Sequence, residues 1–185
     1  MSFLNDTKNF GLIIAILGLF DIVSAVLGFA SSNIIAAVGA LIAGILILLA
    51  GLGIYKKKLP DFMLKLFPEG VDSKFGVLTG MMFTVSLATA ISAVCALNWL
   101  VLVEAIILLI LALVITNDKK NVFDKIIWIL LVLVAVILAI SGFVAIFSVG
   151  GDNALLLAMD IIKAVATALM YLMMLLYLLD GSVKK

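Results

Sequence analysis

The chain has 185 residues, of which 66% are hydrophobic and 12% are charged, and its formal net charge is +1. A soluble domain is about 45–50% apolar, so this excess, which falls in long uninterrupted runs, indicates an integral membrane protein. The near-zero net charge gives no reason to expect a nucleic-acid partner.

Residues that usually carry chemistry are scarce in the sequence. It has no histidine, and all twelve of its basic residues are lysine. The commonest metal ligand and near-neutral acid–base group is therefore missing, as is the bidentate guanidinium fork. Cys95 stands alone inside an apolar run, so neither a disulfide framework nor a CxxC site can form. No GxSxG, HExxH or phosphate-loop motif occurs. We therefore expect a non-enzymatic protein without a metal or a cofactor.

Six apolar runs are each long enough to cross a bilayer. They predict helices over about 10–30, 33–55, 75–97, 98–116, 122–148 and 153–180. The predicted fold class is all-α, a polytopic membrane protein with one transmembrane domain over 1–185. Its six helices form three tandem hairpins, at about 10–58, 75–120 and 122–185, in one bundle.

The residues at the turns and ends of the three hairpins suggest an internal repeat. Asn33, Asn98 and Asn153 each open the second helix of a hairpin, where asparagine is a favoured N-cap. The tripeptides KKK, DKK and VKK close the three units. Gene triplication is the hypothesis that follows.

The one substantial loop covers residues 59–74. Pro60 and Pro68 bracket the segment DFMLKLF, in which Asp61 and Lys65 are spaced i, i+4. This pattern predicts a short amphipathic turn that rests on the lipid headgroups. A docking site for a partner is the alternative.

Lysine distribution predicts the orientation. The three turns SSN, LN and GGDN contain no lysine, whereas lysines cluster at the opposite ends of the predicted helices, at 8, 56–58, 65, 74, 119, 120, 125, 184 and 185. The positive-inside rule then places both termini in the cytoplasm. We expect a multi-pass protein of the inner (cytoplasmic) membrane, with the lipid bilayer as its first partner.

Small residues line two of the predicted helices. Helix 1 carries Gly11, Gly18 and Gly28 on one face, and helix 2 carries Ala40, Gly44 and Gly51. Such stripes let helices approach closely in lipid. Because six helices make a small bundle, a homo-oligomer or a larger complex is plausible, and the small-residue face of helix 2 is the predicted contact between copies.

Hydroxyl side chains follow one side of helix 3. They are Thr79, Ser86, Thr89 and Ser92. We expect them to bond across helices or to their own backbone carbonyls, with a pore lining as the alternative.

Four ionisable residues fall inside the predicted spans: Asp21, Glu104, Asp160 and Lys163. They lie about 9–15 Å from the outer ends of their helices, in one layer. An isolated charge there costs at least ~3 kcal/mol, so these side chains should face inward and be paired or neutral. The layer could hold a cation or a proton. Alternatively, Asp160 and Lys163, spaced i, i+3, form a salt bridge while the other two acids are protonated or bonded to hydroxyls.

The chain resembles the HdeD-like acid-resistance membrane proteins. The resemblance rests on the three-hairpin topology, on GLFDIV at 18–23 and on VGALIAGILILLAG at 38–51, and it is clearest over 11–55. The second and third hairpins lack the glycine spacing, and the outer turns hold asparagine where that family often has proline. The resemblance implies a small stress-related inner-membrane protein, with no catalytic residues to carry over.

Two functions follow from the sequence. The first is an accessory or stress-associated membrane component that acts through helix packing or partner contact. The second is a cation- or proton-linked channel or transporter that uses the acidic layer. Convergence of the four charged residues on a hydrated path to both sides would favour transport, and dispersed or bridged carboxylates would favour the first function.

Overall fold

The computed structural model describes residues 3–29, 33–116, 122–150, 154–181 and 183. In that part of the chain there are six long α-helices: α1 Thr7–Gly28, α2 Ile34–Lys56, α3 Lys74–Cys95, α4 Trp99–Thr116, α5 Val122–Ser148 and α6 Ala154–Leu179. Each contains a segment long and apolar enough to cross a membrane. The predicted bounds agree with these helices to within three residues. The all-α polytopic membrane fold is therefore confirmed.

Side-chain caps fix where the helices begin. The Asn33 side chain accepts a hydrogen bond from the Ala36 amide at 3.1 Å, and the Asn98 side chain accepts one from the Val101 amide at 3.3 Å. Both predicted N-caps are confirmed, because each side chain satisfies an amide that the first helical turn leaves unpaired. The third predicted cap, Asn153, lies outside the described residues.

Helices α1 and α2 are antiparallel and approach so closely that their glycines cannot carry a side chain. A Cβ atom added to Gly11 would lie 2.6 Å from the Tyr55 backbone nitrogen, and one added to Gly18 would lie 2.7 Å from the Leu48 Cα. We call this contact the glycine seam. Its members are Gly11 and Gly18 of α1 and Gly44 and Gly51 of α2.

The glycines of α2 bear on the prediction that the small-residue face of this helix is the contact between copies. A Cβ added to Gly44 would lie 2.9 Å from the Ile22 backbone nitrogen, and one added to Gly51 would lie 2.8 Å from the Ala15 Cα. The small-residue face of α2 is thus covered by α1 of the same chain, and the expectation that it joins two copies is corrected. Close packing needs a partner backbone, and the preceding helix supplies it.

Two further members of the predicted stripes lie outside the seam. A Cβ on Gly28 would be 3.6 Å from the Ala37 Cβ, which is ordinary van der Waals contact. Ala40 is half-buried and lines a cavity described below.

Helix α3 is the most buried of the six spans, because it packs against α2, α4 and α6. Three of its hydroxyls are buried and bond to their own helix: Thr79 to the Phe75 carbonyl at 2.9 Å, Thr84 to the Gly80 carbonyl at 2.8 Å and Ser86 to the Met82 carbonyl at 2.7 Å. For Thr79 and Ser86 the expected backbone bonding is confirmed. It satisfies groups that would otherwise be costly to bury.

The segment between α2 and α3 belongs to the core as well as to the surface. It forms a 3₁₀-helix over Asp61–Leu66, in which Phe62 and Leu64 are exposed and Met63 is fully buried. The ring of Phe67, buried to 2% exposure, lies against Gly80, where a side chain would collide with it. The expected contact with the lipid headgroups therefore describes only part of what this segment does. The segment also covers one end of the bundle.

The two ends of the bundle differ in charge. At the end that we call lysine-rich, Lys56–Lys58, Lys65 and Lys74 surround the link from α2 to α3. The opposite, lysine-poor end holds the link from α1 to α2 and the link from α3 to α4. This distinction requires no assumption about which side of the membrane either end faces.

At the lysine-rich end, Lys74 joins three parts of the chain. Its Nζ atom donates to the Asn5 side chain at 2.6 Å and forms an ion pair with Asp180. The same ammonium lies 5.9 Å from the ring centre of Tyr177, which in turn packs on Phe10 with ring centres 5.3 Å apart. These contacts hold the first and last helices together beside the start of α3.

The glycine seam yields a stability prediction. Gly18→Ala should lower the free energy of unfolding by about 1–3 kcal/mol relative to Gly28→Ala, because the added methyl meets the α2 backbone only at position 18. Gly28, the last residue of α1, is the control, because a methyl group there makes only ordinary van der Waals contact. Unfolding of the two variants in detergent micelles is the measurement. Equal stabilities would show that the seam tolerates side chains.

Candidate functional site

A cavity of about 510 Å³ lies in the lysine-poor half of the bundle. Helices α1, α2 and α3 form most of its wall, and α4 and α6 contribute one residue each, Val101 and Lys163. Much of the wall is alanine, and these small side chains leave the space between the helices unfilled. The polar lining residues are Asp21, Ser24, Asn33, Thr89, Ser92 and Lys163.

An ion pair lies on one side of this cavity. The Lys163 Nζ atom is 2.9 Å from the Asp21 Oδ1 atom, and the same ammonium lies 3.4 Å from the Ser24 hydroxyl oxygen. Both charged side chains are about a quarter exposed, Lys163 at 28% and Asp21 at 24%. They are thus partly withdrawn from the surroundings and still reachable from the cavity.

The partner of Lys163 differs from the one that the sequence favoured. The i, i+3 spacing predicts a bridge from Lys163 to Asp160 on the same helix, whereas the structure pairs Lys163 with Asp21 of α1. Packing of α1 against α6 brings the two residues together although 142 positions separate them. Pairing between helices withdraws both charges partly from the surface and neutralises them, which a bridge along one exposed helix face would not do.

The other two acids do not join the pair. Glu104 and Asp160 are exposed on the surface of the bundle, and neither lines the cavity. Within the described ranges, the ion pairs are Lys163–Asp21 and Lys74–Asp180. The predicted four-residue layer is therefore divided: the structure brings Asp21 and Lys163 together and leaves Glu104 and Asp160 apart from them.

The hydroxyls of α3 divide in the same way. Those nearer the lysine-rich end are buried and bond to the backbone, whereas Thr89 and Ser92 line the cavity. Ser24 was not singled out from the sequence. Its position three residues after Asp21 on a helix, and hence on the same face, was the available signal.

Beyond the ion pair, toward the lysine-rich end, the bundle is tightly packed. Ile14, Met81 and Met173 are fully buried there, in the hydrophobic core that also includes Met63 and Phe67. In the described residues the lining of this cavity stops at Asp21, Ile47 and Lys163. The arrangement suits the binding of a small molecule from the lysine-poor end.

The ion pair gives a prediction for stability. Asp21→Asn should cost about 1–3 kcal/mol in the free energy of unfolding, because it leaves the Lys163 ammonium partly buried without its counter-charge. The double variant Asp21→Asn/Lys163→Met should lose less than the sum of the two single variants. Asp72→Asn, at an exposed acid of the loop before α3, is the matched control and should change stability by less than about 0.5 kcal/mol. Strict additivity in this cycle would argue against direct coupling.

Comparison with known proteins adds no relative. No protein-family model matches the chain, and searches of curated proteins and of solved structures find no significant match to it.

Proposed function

We propose that this integral membrane protein is a non-enzymatic accessory component that works by contact with another membrane-embedded chain. The observation that carries the proposal is the exposure of Glu104 on a helix that spans the membrane. Asp160, exposed on α6, supports it.

The depth of Glu104 makes its exposure costly in lipid. Helix α4 has 18 residues, which corresponds to a length of about 27 Å, close to the thickness of the hydrocarbon core. Glu104 is about 8 Å from the start of this helix, at a rise of 1.5 Å per residue. A carboxylate facing lipid at such a depth costs on the order of 3 kcal/mol. A neighbouring chain that offers hydrogen-bond donors or a basic side chain removes this cost.

Asp160 lies at a similar depth. It is about 9 Å from the start of α6 by the same helical rise. Within the described residues neither acid takes part in an ion pair, so a partner that covers both would supply the missing contacts. Unpaired charged residues inside a membrane are accordingly expected to be functional.

The cavity favours an accessory role over transport. Asp21, the acid that does reach the cavity, is already neutralised by Lys163, and a permeating cation would have to compete with that ammonium. In the described part of the chain, a core of buried apolar side chains lies between the ion pair and the lysine-rich end, which opposes the passage of an ion.

The proposal also covers the orientation of the chain, the membrane in which it lies and its relation to the HdeD-like proteins. The positive-inside rule places the lysine-rich end and both termini in the cytoplasm of a cell with an inner membrane. Kinship with the HdeD-like proteins would make the chain stress-associated, and three tandem hairpins would then reflect triplication of an ancestral unit.

Removal of Glu104 should release the partner. The wild-type protein, extracted in mild detergent, should be found in a particle that contains more than one chain, and Glu104→Leu should shift it to a single chain. Light scattering after size exclusion measures the protein mass of each particle. Ile107→Leu, at an exposed apolar position of the same helix, is the control and should leave the mass unchanged.

Identification of the chains in the particle by mass spectrometry separates a second copy from a different partner, and either agrees with the proposal. A wild-type protein that is a single chain both in cross-linked native membranes and in detergent would overturn it.

Ion flux separates the proposal from the transport alternative. Proteoliposomes of the wild-type protein should dissipate a pH gradient no more than twofold faster than empty vesicles of the same lipid, because Glu104 and Asp160 do not join Asp21 and Lys163 at the cavity. A larger flux that Asp21→Asn reduces, and that Asp72→Asn in the loop before α3 does not, would replace the accessory role with a proton- or cation-linked one.

A further inference from the structure

We propose that the cavity beside the Asp21–Lys163 ion pair binds a small zwitterion, a molecule that carries an ammonium group and a carboxylate or phosphodiester group a few bonds apart. This inference does not depend on the partner contact at Glu104. Glu104 does not line the cavity, so the two proposals are tested on different residues.

The cavity has the size and wall of a small-molecule site. Its volume of about 510 Å³ falls within the range of roughly 300–1,000 Å³ that is usual for ligand pockets. Alanines, Ile47 and Val101 supply apolar surface, while the polar groups are few and grouped. Pockets of this kind hold the apolar part of a ligand loosely and use the polar groups to set its orientation.

The ion pair has hydrogen-bonding capacity to spare. A lysine ammonium has three N–H donors, and a carboxylate has two oxygens that each accept more than one hydrogen bond. In the described part of the chain, Lys163 contacts Asp21 and, at 3.4 Å, Ser24, and Asp21 uses its Oδ1 atom. A third donor of Lys163 and the Oδ2 acceptor of Asp21 therefore remain for a ligand.

Charge balance selects the class of ligand. The pair is neutral as a whole, so a ligand with one net charge would bring an uncompensated charge into a partly buried site, which is unfavourable. A neutral ligand without charges would forgo the strong charge-assisted hydrogen bonds that both residues offer. A zwitterion meets both conditions: its anionic oxygen accepts from Lys163 and its ammonium donates to Asp21.

Other polar side chains of the cavity can also form hydrogen bonds with a zwitterion. Thr89 and Ser92 of α3 line the wall, and Asn33 of α2 lies near the lysine-poor end. Each hydroxyl can donate or accept, so it can bond a second oxygen of the anionic group or a further N–H of the ammonium. The ligand would thus be held by polar groups from several helices.

Two sources share this chemistry. One is a free amino acid or a similar solute that enters from the aqueous phase at the lysine-poor end. The other is the headgroup of an ethanolamine phospholipid in the leaflet at that end. Both present an ammonium close to an anionic oxygen, so the shared chemistry defines the site and the test must distinguish the sources.

The test measures protection of an engineered thiol. In a Cys95→Ala background, Ser92→Cys places a cysteine on the cavity wall and Ser148→Cys places one on the exposed end of α5. The protein is held in nanodiscs of phosphatidylglycerol, which has no amine, and treated with a maleimide. The soluble probes are L-alanine and glycerophosphoethanolamine, and the lipid arm replaces half of the phosphatidylglycerol with phosphatidylethanolamine.

At least one zwitterionic arm should slow labelling of the Ser92→Cys variant tenfold or more and leave the Ser148→Cys variant unchanged. Propionate and isopropylamine, each with a single charge, should slow it less than twofold. Protection by a soluble probe assigns a free solute, and protection in the lipid arm alone assigns a headgroup. Absence of protection in all arms, or equal protection by the singly charged compounds, overturns the proposal.

Further variants distinguish loss of the binding site from loss of the fold. Asp21→Asn should abolish protection, whereas Asp72→Asn, the matched loss of an exposed acid outside the cavity, should retain it. Since Asp21→Asn also weakens the bundle, Ala40→Leu provides a second route: it fills the cavity without changing the ion pair and should remove protection while the thermal midpoint stays at or above that of the wild type. Protection that survives Ala40→Leu in a folded protein places the ligand elsewhere.

Discussion

Close backbone contact between α1 and α2 is the constraint on which the arrangement of this bundle depends. In lipid, helices gain little from burying apolar surface against one another, so association relies on van der Waals packing and on polar contacts between helices. The glycine seam supplies the packing, because Gly18 and Gly51 let one helix backbone rest on the other. With α1 fixed against α2, α1 also packs against α6, and Asp21 comes within reach of Lys163.

Small residues near that contact have a second effect. The members of the glycine seam lie against the backbone of the other helix, so α1 and α2 touch there. Ala36, Ala40 and Ala43 of α2 line the cavity, where the space between helices stays open. The same preference for small side chains therefore produces close packing in one place and a cavity in another. The difference depends on whether a neighbouring helix is near enough to fill the gap. A sequence stripe of small residues alone does not distinguish the two outcomes.

The sequence predicted the helices well and the charged site only in part. Helix bounds followed from the length of the apolar runs, and the starts of α2 and α4 followed from Asn33 and Asn98, since both signals are local. The partner of Lys163 depends on how α1 and α6 meet across the bundle. Spacing along α6 pointed to Asp160, and tertiary packing favoured Asp21 instead.

The interfacial segment shows the same limit. Its amphipathic pattern predicted a short turn at the headgroups, but it could not show that Met63 and Phe67 belong to the hydrophobic core. Gly80 makes room for Phe67, and the two positions are related only in the folded bundle. Local patterns specify which element forms, whereas contacts between distant elements specify what each side chain touches.

The pairing of the first helix with the last has a consequence for biosynthesis. Asp21 enters the bilayer early, and the 142 residues that separate it from Lys163 take roughly 7 to 30 s to synthesise at about 5–20 residues per second. During that interval the Asp21 side chain has no ammonium beside it, and the ion pair forms only when α6 arrives. Completion of the chain is thus coupled to the pairing of a charged side chain inside the membrane. A chain truncated before α6 would keep an acid without its partner.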